Sequence, residues 1–295
     1  MPVPAPPTGR RGKNKRLRDR MNPRLFAWVL AIPATLFVAL GLGLPVLSTF
    51  ATTLGEAAGP LQPYIAFFTS GFRRTVLWRT MEVSLITTAI SVVVGFATAW
   101  VVARAPGRIK SFLIIAAVFP LLTSVVVRSF AWMVILGKNG IVNTALLGLG
   151  FIGEPLSMLY TEGAVIVAMV YLFVPLMILT LVGVLEGIPR DLTDAATSLG
   201  ATPAAAFRQV VLPMAVPGLI VGAVLVFTGS FTSYATPQLL GGERQMMMGT
   251  FLYQRAMVTF DWVGASTIAA VMTIVTLATV LVMSRLARKL NPVTG

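Results

Sequence analysis

Arg128 is the one charged residue inside any of six long apolar stretches of this chain, and no Asp or Glu joins it there. A proton-coupled carrier works through chains of intramembrane carboxylates, so their absence argues against that chemistry and leaves only sodium sites built from backbone carbonyls. Nucleophilic catalysis has as little to work with. The chain holds no Cys and no His, which removes thiol and imidazole nucleophiles, the usual zinc ligand sets and disulfides. Ser84, Ser91 and Ser124 have no Lys or acidic partner in any apolar stretch, so an intramembrane protease or lipid-modifying enzyme lacks the base that would activate its hydroxyl. A phosphate-cradling loop needs G-x₄-G-K-[ST]. Gly12-Lys13 and Gly137-Lys138 are each followed by Asn and lack the upstream glycine. If ATP powers this protein, a separate chain hydrolyses it, and no cofactor is expected here.

What remains is a mechanical element. Asp194-Ala-Ala-Thr-Ser-Leu-Gly200 is followed nine residues later by Val210-Val-Leu-Pro213, between the fourth and fifth apolar stretches. Pro189 is suited to the first position of a helix, where a missing N–H costs nothing, and Asp191 and Asp194 then fall in or near its first turn, where the dipole favours negative charge. Gly200 ends that helix, because glycine accepts the left-handed conformation of a C-terminal cap. Thr202 is placed to cap a second helix that begins at Pro203 and runs through Ala204, Ala205, Ala206 and Phe207 into the next apolar stretch. The expected product is a pair of short helices bent at 200–202. Ala and Gly remove bulk from one surface, so a partner can approach the backbone closely. An amphipathic connector lying on lipid headgroups is the blander alternative.

Composition sets the class. Of 295 residues 56% are hydrophobic and 11% charged, against roughly 25% charged in soluble domains, and the mean hydropathy is +0.86. A helix needs about 20 apolar residues to cross the hydrocarbon core. Six windows qualify: Leu25–Leu47, Val83–Val102, Phe112–Leu136, Ala164–Leu185, Val210–Tyr234 and Ala265–Met283. Pro33, Pro120, Pro175 and Pro217 lie inside them, where kinks are expected. The chain therefore reads as an all-α polytopic membrane protein with the bilayer as its first partner. A net charge of +13 would suggest nucleic acid in a soluble protein, but eight of the 23 basic residues sit in the first 24 positions, directly before an apolar run. That pattern marks a retained cytoplasmic flank, and nucleic acid is not an expected partner. With the N-terminus inside, the inner segments carry sixteen Lys and Arg and the outer loops six. Both termini and the 186–209 loop are thus expected in the cytoplasm.

Five segments follow from this reading: a basic tail 1–24, a first transmembrane helix 25–50, an outer loop 51–80, a transmembrane domain 78–285 and a short cytoplasmic tail 286–295. The N-terminal apolar stretch is longer than a signal-peptide core of about 7–15 residues and reads as an uncleaved anchor. Arg128, sixteen residues into its window, should lie about 24 Å along it, in the outer third. It either snorkels to the interface or faces a translocation path. Trp132, Phe231 and Tyr234 are further candidates for that path, and an interfacial aromatic belt explains them equally well. Met246-Met247-Met248 suits either a protein-binding surface or packing beneath the outer loop. The loop 51–80, with Tyr64, Phe67 and Phe68, reads as partly helical.

The spacing of Asp194, Ala195, Ala196, Gly200, Val210, Leu212 and Pro213 resembles the EAA loop of ABC-transporter permeases, Glu-Ala-Ala-x₃-Gly-x₉-Ile-x-Leu-Pro, with Asp for Glu and Val for Ile. The shorter carboxylate reaches less far. Val94-Gly-Phe-Ala-Thr-Ala-Trp100, Phe119 to Trp132 including Arg128, Gly140-Ile-Val-Asn143, Leu240-Gly-Gly-Glu243, Asp261-Trp262 and Gly264-Ala-Ser-Thr267 are similar to segments of spermidine/putrescine-type permeases. The resemblance covers about Leu61 to Arg285. It implies the type I ABC importer permease fold in a bacterial inner membrane, beside a second permease, above two ATP-binding subunits that hold ATP and Mg²⁺, and below an extracytoplasmic solute-binding protein. It also implies alternating access, with the 189–209 helices seated in clefts of the ATPase and Asp194 facing a basic residue there. A polyamine is the first expected solute; amino-acid derivatives, opines and phosphonates are the alternatives, and an ion-coupled secondary carrier or a membrane scaffold stand behind them.

Overall fold

The computed structural model describes residues 23–55 and 59–290; residues 1–22 of the expected basic tail, 56–58 of the outer loop and 291–295 of the C-terminal tail lie outside the described residues. Thirteen α-helices and two π turns account for most of what is described. In chain order they are α1 (Pro23–Leu54), α2 (Gln62–Thr69), α3 (Gly71–Arg104), α4 (Gly107–Leu122), α5 (Val125–Leu136), α6 (Ile141–Gly148), α7 (Glu162–Glu186), α8 (Arg190–Ser198), α9 (Pro203–Ala206), a π turn (Phe207–Val211), α10 (Leu212–Phe231), α11 (Ala235–Leu240), α12 (Met248–Tyr253), a second π turn (Gln254–Val258) and α13 (Trp262–Leu290). Six stretches are long and apolar enough to cross a membrane.

Three helices make the packed centre: α3, α7 and α10. Lipid tails are as apolar as leucine, so helices associate in a bilayer through close packing rather than hydrophobic transfer, and small residues bring the backbones together. Gly218-Leu-Ile-Val-Gly222 on α10 is such a surface. A Cβ on Gly218 would stand 2.7 Å from Val184 Cγ2, and one on Gly222 would stand 2.5 Å from Met177 Sδ; on α3, a Cβ at Gly95 would collide with the same methionine. Met177 is completely buried among Ala99, Leu181, Ala215 and Val226. Around this centre α13 lies against α10, α1 against α13, and α4 against α7. The side chains of α1 from residue 31 onward are nearly all exposed, as expected of a helix that borders lipid on most sides.

Two expectations change. The third window is not one helix: α4 stops at Leu122, Thr123 and Ser124 are extended (ψ 148° and 137°), and α5 starts at Val125. Pro120 lies three residues before the break, inside α4, and its carbonyl is left without an intrahelical partner by the interruption. Pro175 and Pro217 do not interrupt their helices. The fifth stretch also starts differently. Pro213 has no N–H to offer the carbonyl of Gln209 and its ring displaces that carbonyl. The chain answers with a π turn over Phe207–Val211, in which the Leu212 N–H reaches back to the Phe207 carbonyl.

The end of the bundle opposite the 186–209 loop is tied by polar contacts. Arg79 Nε donates to Glu162 Oε1 at 2.8 Å, joining the third turn of α3 to the first turn of α7, and its Nη1 donates to the Arg244 carbonyl at 3.0 Å. Asn143 is fully buried and donates to the carbonyls of Gly137 and Leu156 while accepting from the Leu156 N–H at 2.9 Å. Asp261 accepts from the Gly264 N–H at 2.8 Å, closing the start of α13, and pairs with Arg255 at 3.2 Å. Met246, Met247 and Met248 are buried beneath this end, with the Met248 N–H bonded to Thr80 Oγ1. They are packing, not a docking surface.

Candidate functional site

At the other end, α8 and α9 form a bent arm between α7 and α10. The sequence places its parts closely. Pro189 is the N-cap, one position earlier than expected, and Asp191 lies in the first turn of α8. Gly200 has φ +90°. Its N–H bonds to the Thr197 carbonyl and the Ala201 N–H to the Ala196 carbonyl, each at 3.0 Å. Together these are the two bonds of a Schellman cap. Thr202 then caps α9 by accepting from the Ala205 N–H at 3.2 Å, with Pro203 as first helical residue.

The arm presents a small, exposed surface. Asp191, Asp194, Ala195, Thr197, Ser198 and Gly200 are exposed, and Ala196 is half-buried. Leu199, at the tip of the bend, is 89% exposed. No atom lies within 4 Å of where a Gly200 Cβ would stand. Val210, Leu212 and Pro213 are half-buried at the root, where the arm enters α10. The structure thus gathers all seven residues of the spaced motif into one continuous arm and root. The tip is thus an apolar Leu surrounded by Ala, Gly and hydroxyls and rimmed by two carboxylates.

What the sequence did not signal is how the arm rests on the bundle. Phe207 stands edge-on to Trp100 (centroids 4.8 Å apart) and to Phe96 (5.8 Å), both on α3. The guanidinium of Arg104 lies over the Trp100 ring at 3.0 Å. Lys110 on α4 pairs with Glu186 at the end of α7 at 2.7 Å. Phe207 is the first residue of the π turn, for which Pro213 was the signal. Two clefts flank the contact. One, of about 290 Å³, is lined by Trp100, Arg104, Lys110, Glu186 and Thr193 among others; the second, of about 430 Å³, is lined by Trp100, Asp194, Thr197 and Phe207.

The candidates for a path are not all brought together. Arg128 neither runs along the helix to an interface nor stands free: its Nη1 donates to the Pro120 carbonyl, across the break between α4 and α5. Thr123 Oγ1 donates to the same carbonyl at 2.8 Å. Among the described residues Arg128 Nε has no hydrogen-bond partner. The side chain shares a small cavity with Ser129, Trp132, Tyr171 and Thr236, where Trp132 meets Tyr171 edge-on at 5.6 Å. Phe231 belongs elsewhere. It is fully buried, stacked on Phe227 at 5.6 Å in a cluster with Val76, Met248 and Ile268. Its ring has no accessible surface in this structure. Tyr234 is half-buried and stacked on Tyr253 at 4.4 Å.

Known proteins share this arrangement. Residues 91–294 match the family of binding-protein-dependent transport system inner membrane components. The spermidine/putrescine transport system permease protein PotB of Haemophilus influenzae is 31% identical over 216 residues, covering 73% of this chain and 76% of that protein. The PotB protein of Escherichia coli K12 is 29% identical, covering 73% and 78%. Among solved structures, a bacterial ABC transporter involved in import of the acidic polysaccharide alginate superposes with a TM-score of 0.76, at 15% identity, over 95% of this chain and 100% of that one. That likeness establishes the fold. With the family matched from the middle of α3 to beyond the end of α13, the chain belongs to the binding-protein-dependent transport system inner membrane components: it is a permease subunit of an ABC importer.

Proposed function

We propose that this chain and a second, similar permease enclose the translocation path of an importer driven by two ATP-binding subunits, which hold ATP and Mg²⁺. The α8–α9 arm is the part gripped by one of them. The observation that carries this reading is the bend itself: a capped, exposed, small-residue tip at Leu199–Gly200 whose root enters α10 directly. ATP-driven closure of the engine moves the arm, and the movement reaches the bundle because the two states offer the arm different contacts. Asp194 faces a basic residue of the ATPase; Ala195, Ala196 and Gly200 permit close seating; Val210, Leu212 and Pro213 join arm to span. Arg104, Arg108, Lys110 and Arg208 belong to the same end as the arm, which supports a cytoplasmic position for it and for both termini. The opposite end, with its loops between α5 and α7 and between α10 and α13, receives the solute-binding protein.

For the solute, likeness to the PotB permeases favours a polyamine of the spermidine/putrescine kind. Arg128, with its unpartnered Nε, favours a second reading, a solute bearing an anionic group such as an opine, phosphonate or amino-acid derivative. Two experiments decide. Affinity purification of the chain from its own membranes should bring down an ATP-binding subunit, and a Ser198→Cys chain should react with impermeant thiol reagents in inside-out vesicles but not in intact cells. Solute uptake by the isolated chain in liposomes, driven by an ion gradient, would overturn the reading. Ligand binding by the partner solute-binding protein, probed with spermidine and with a phosphonate, separates the solutes.

A further inference from the structure

We propose that Phe207 is the positioning residue that makes the coupling arm and α3 move as one body; this rests on the proposed function of the arm. The arm has two covalent roots, at Pro189 and at the π turn, and neither fixes its distance from α3. At Pro189 the backbone is non-helical (ψ 132°), so α8 is not a continuation of α7. Between the arm and the bundle lie the two clefts of about 290 and 430 Å³, both bordered by Trp100 and Arg104. An arm pushed toward the bundle would first close these spaces, and its displacement would be lost there.

Phe207 is the strut between them. Its ring is held on one side of α3 by Phe96 and Trp100, one helical turn apart, at 5.8 and 4.8 Å. Residues four apart share a helix face, so the ring sits against a two-point support and cannot roll about a single contact. Arg104, a further turn along α3, backs the Trp100 ring at 3.0 Å. Behind Phe207, Ala206 and Val211 are almost wholly buried. The π turn is a local widening of the helix, a feature that tends to accompany function, and here it sets the azimuth of the strut. A displacement imposed on Leu199 therefore reaches the inner end of α3, and through the close α3–α7–α10 packing the rest of the bundle, without first taking up slack.

The chain contains no cysteine, so a spin-label pair can be placed on it without background from this chain, and it is labelled before assembly with the other subunits. With Ala204→Cys, exposed on the arm but away from its seated tip, and Val101→Cys on the exposed side of α3, distances are measured by pulsed electron resonance on the complete importer complex, without nucleotide and trapped with ATP and vanadate. The expected result is a narrow distribution that agrees between the two states within about 2 Å, the scale of a rigid packed interface. Adding Phe207→Ala should shift or spread it by about 5 Å, and Phe207→Tyr should restore it. An arm-to-α3 distance that already changes between states with Phe207 in place overturns the inference, as does Phe207→Ala with an unchanged distribution. If Phe207→Ala prevents assembly, the two-state comparison with Phe207 intact still decides. A chain that recruits no ATP-binding subunit overturns the proposed function itself, and this inference with it.

Discussion

Replacing Gly200 separates two reasons for its presence. Its φ of +90° is disfavoured for any residue with a Cβ, yet no atom stands within 4 Å of the site that Cβ would occupy. The intrachain cost of Gly200→Ala is therefore backbone strain alone, about 1–2 kcal/mol. Gly200→Leu carries the same strain and, within this chain, no clash. Gly200→Asn is strained least, since Asn tolerates the left-handed region. That strain is local to the α8–α9 bend and small beside the packing of the spans, so all three variants should insert and remain folded. In a cleft that seats the tip closely, bulk ranks the variants instead: Ala mild, Asn intermediate, Leu most severe. The assay is ATP hydrolysis by the reconstituted importer, stimulated by solute-loaded binding protein, beside co-purification of the ATP-binding subunits. Stimulation is expected to vanish for Leu, while membrane insertion stays normal. Wild-type stimulation in Gly200→Leu would remove the bend from the coupling mechanism. A ranking in which Ala and Leu are equal and both worse than Asn would mean that strain, not seating, governs it.

Other sites give sharper or simpler expectations. Arg128→Leu removes a charge-assisted hydrogen bond to the Pro120 carbonyl, worth about 1.5–3 kcal/mol, and also an intramembrane charge costing about 2.5–3.5 kcal/mol. The two nearly cancel, so thermal stability should change little; a large loss of melting temperature would refute this accounting. Gly222→Leu drives a side chain into Met177. Overpacking of that kind costs about 1–3 kcal/mol and should lower the melting temperature, with the further loss caused by Met177→Ala smaller on the Gly222→Leu background than in the parent chain if the contact is the cause. Asn143→Ala strands the Leu156 N–H, while the carbonyls of Gly137 and Leu156 keep the N–H groups of Gly140 and Met158. About 1–3 kcal/mol of local stability should disappear, read as faster hydrogen exchange over residues 137–156.

Much of the arm was legible because its rules are local. Gly at a left-handed cap, Thr before Pro at a helix start, and acidic residues in a first turn each act within four or five residues, and the cap bonds at Thr197, Ala196 and Thr202 form where the spacing puts them. The spans were legible for a similar reason, since length and hydropathy need no partner. What escaped depends on residues far apart in the chain. Phe207 reads as one more apolar residue until α3 is laid beside it, 107 positions from Trp100. Arg128 was weighed only against water and a path, because an apolar run gives no warning that its helix is interrupted. The clue was Thr123-Ser124, three residues after Pro120, a pair whose side chains compete for backbone bonds. Gly218 and Gly222, four apart in an otherwise bulky run, also stood in plain view. Their meaning requires Met177 and Val184 on another helix.

The charge on the solute is the point at which chain and relatives pull apart. A polyamine crossing the bilayer should meet carboxylates or aromatic faces. The six apolar windows contain no Asp or Glu, and the accessible aromatic candidates are Trp132, Tyr171 and Tyr234, the first two beside a guanidinium. A protonated amine beside an arginine that no carboxylate neutralises among the described residues is repelled in low dielectric by several kcal/mol. For polyamine import, then, Arg128 has to stay engaged with the Pro120 carbonyl and turned from the path, and the carboxylates have to come from the second permease. Arg128→Gln makes this testable, because it keeps a donor for Pro120 and deletes the charge. Spermidine uptake should be preserved or raised in that variant. Loss of uptake with no loss of assembly would instead show that the charge itself faces the solute, and the anionic reading would take its place.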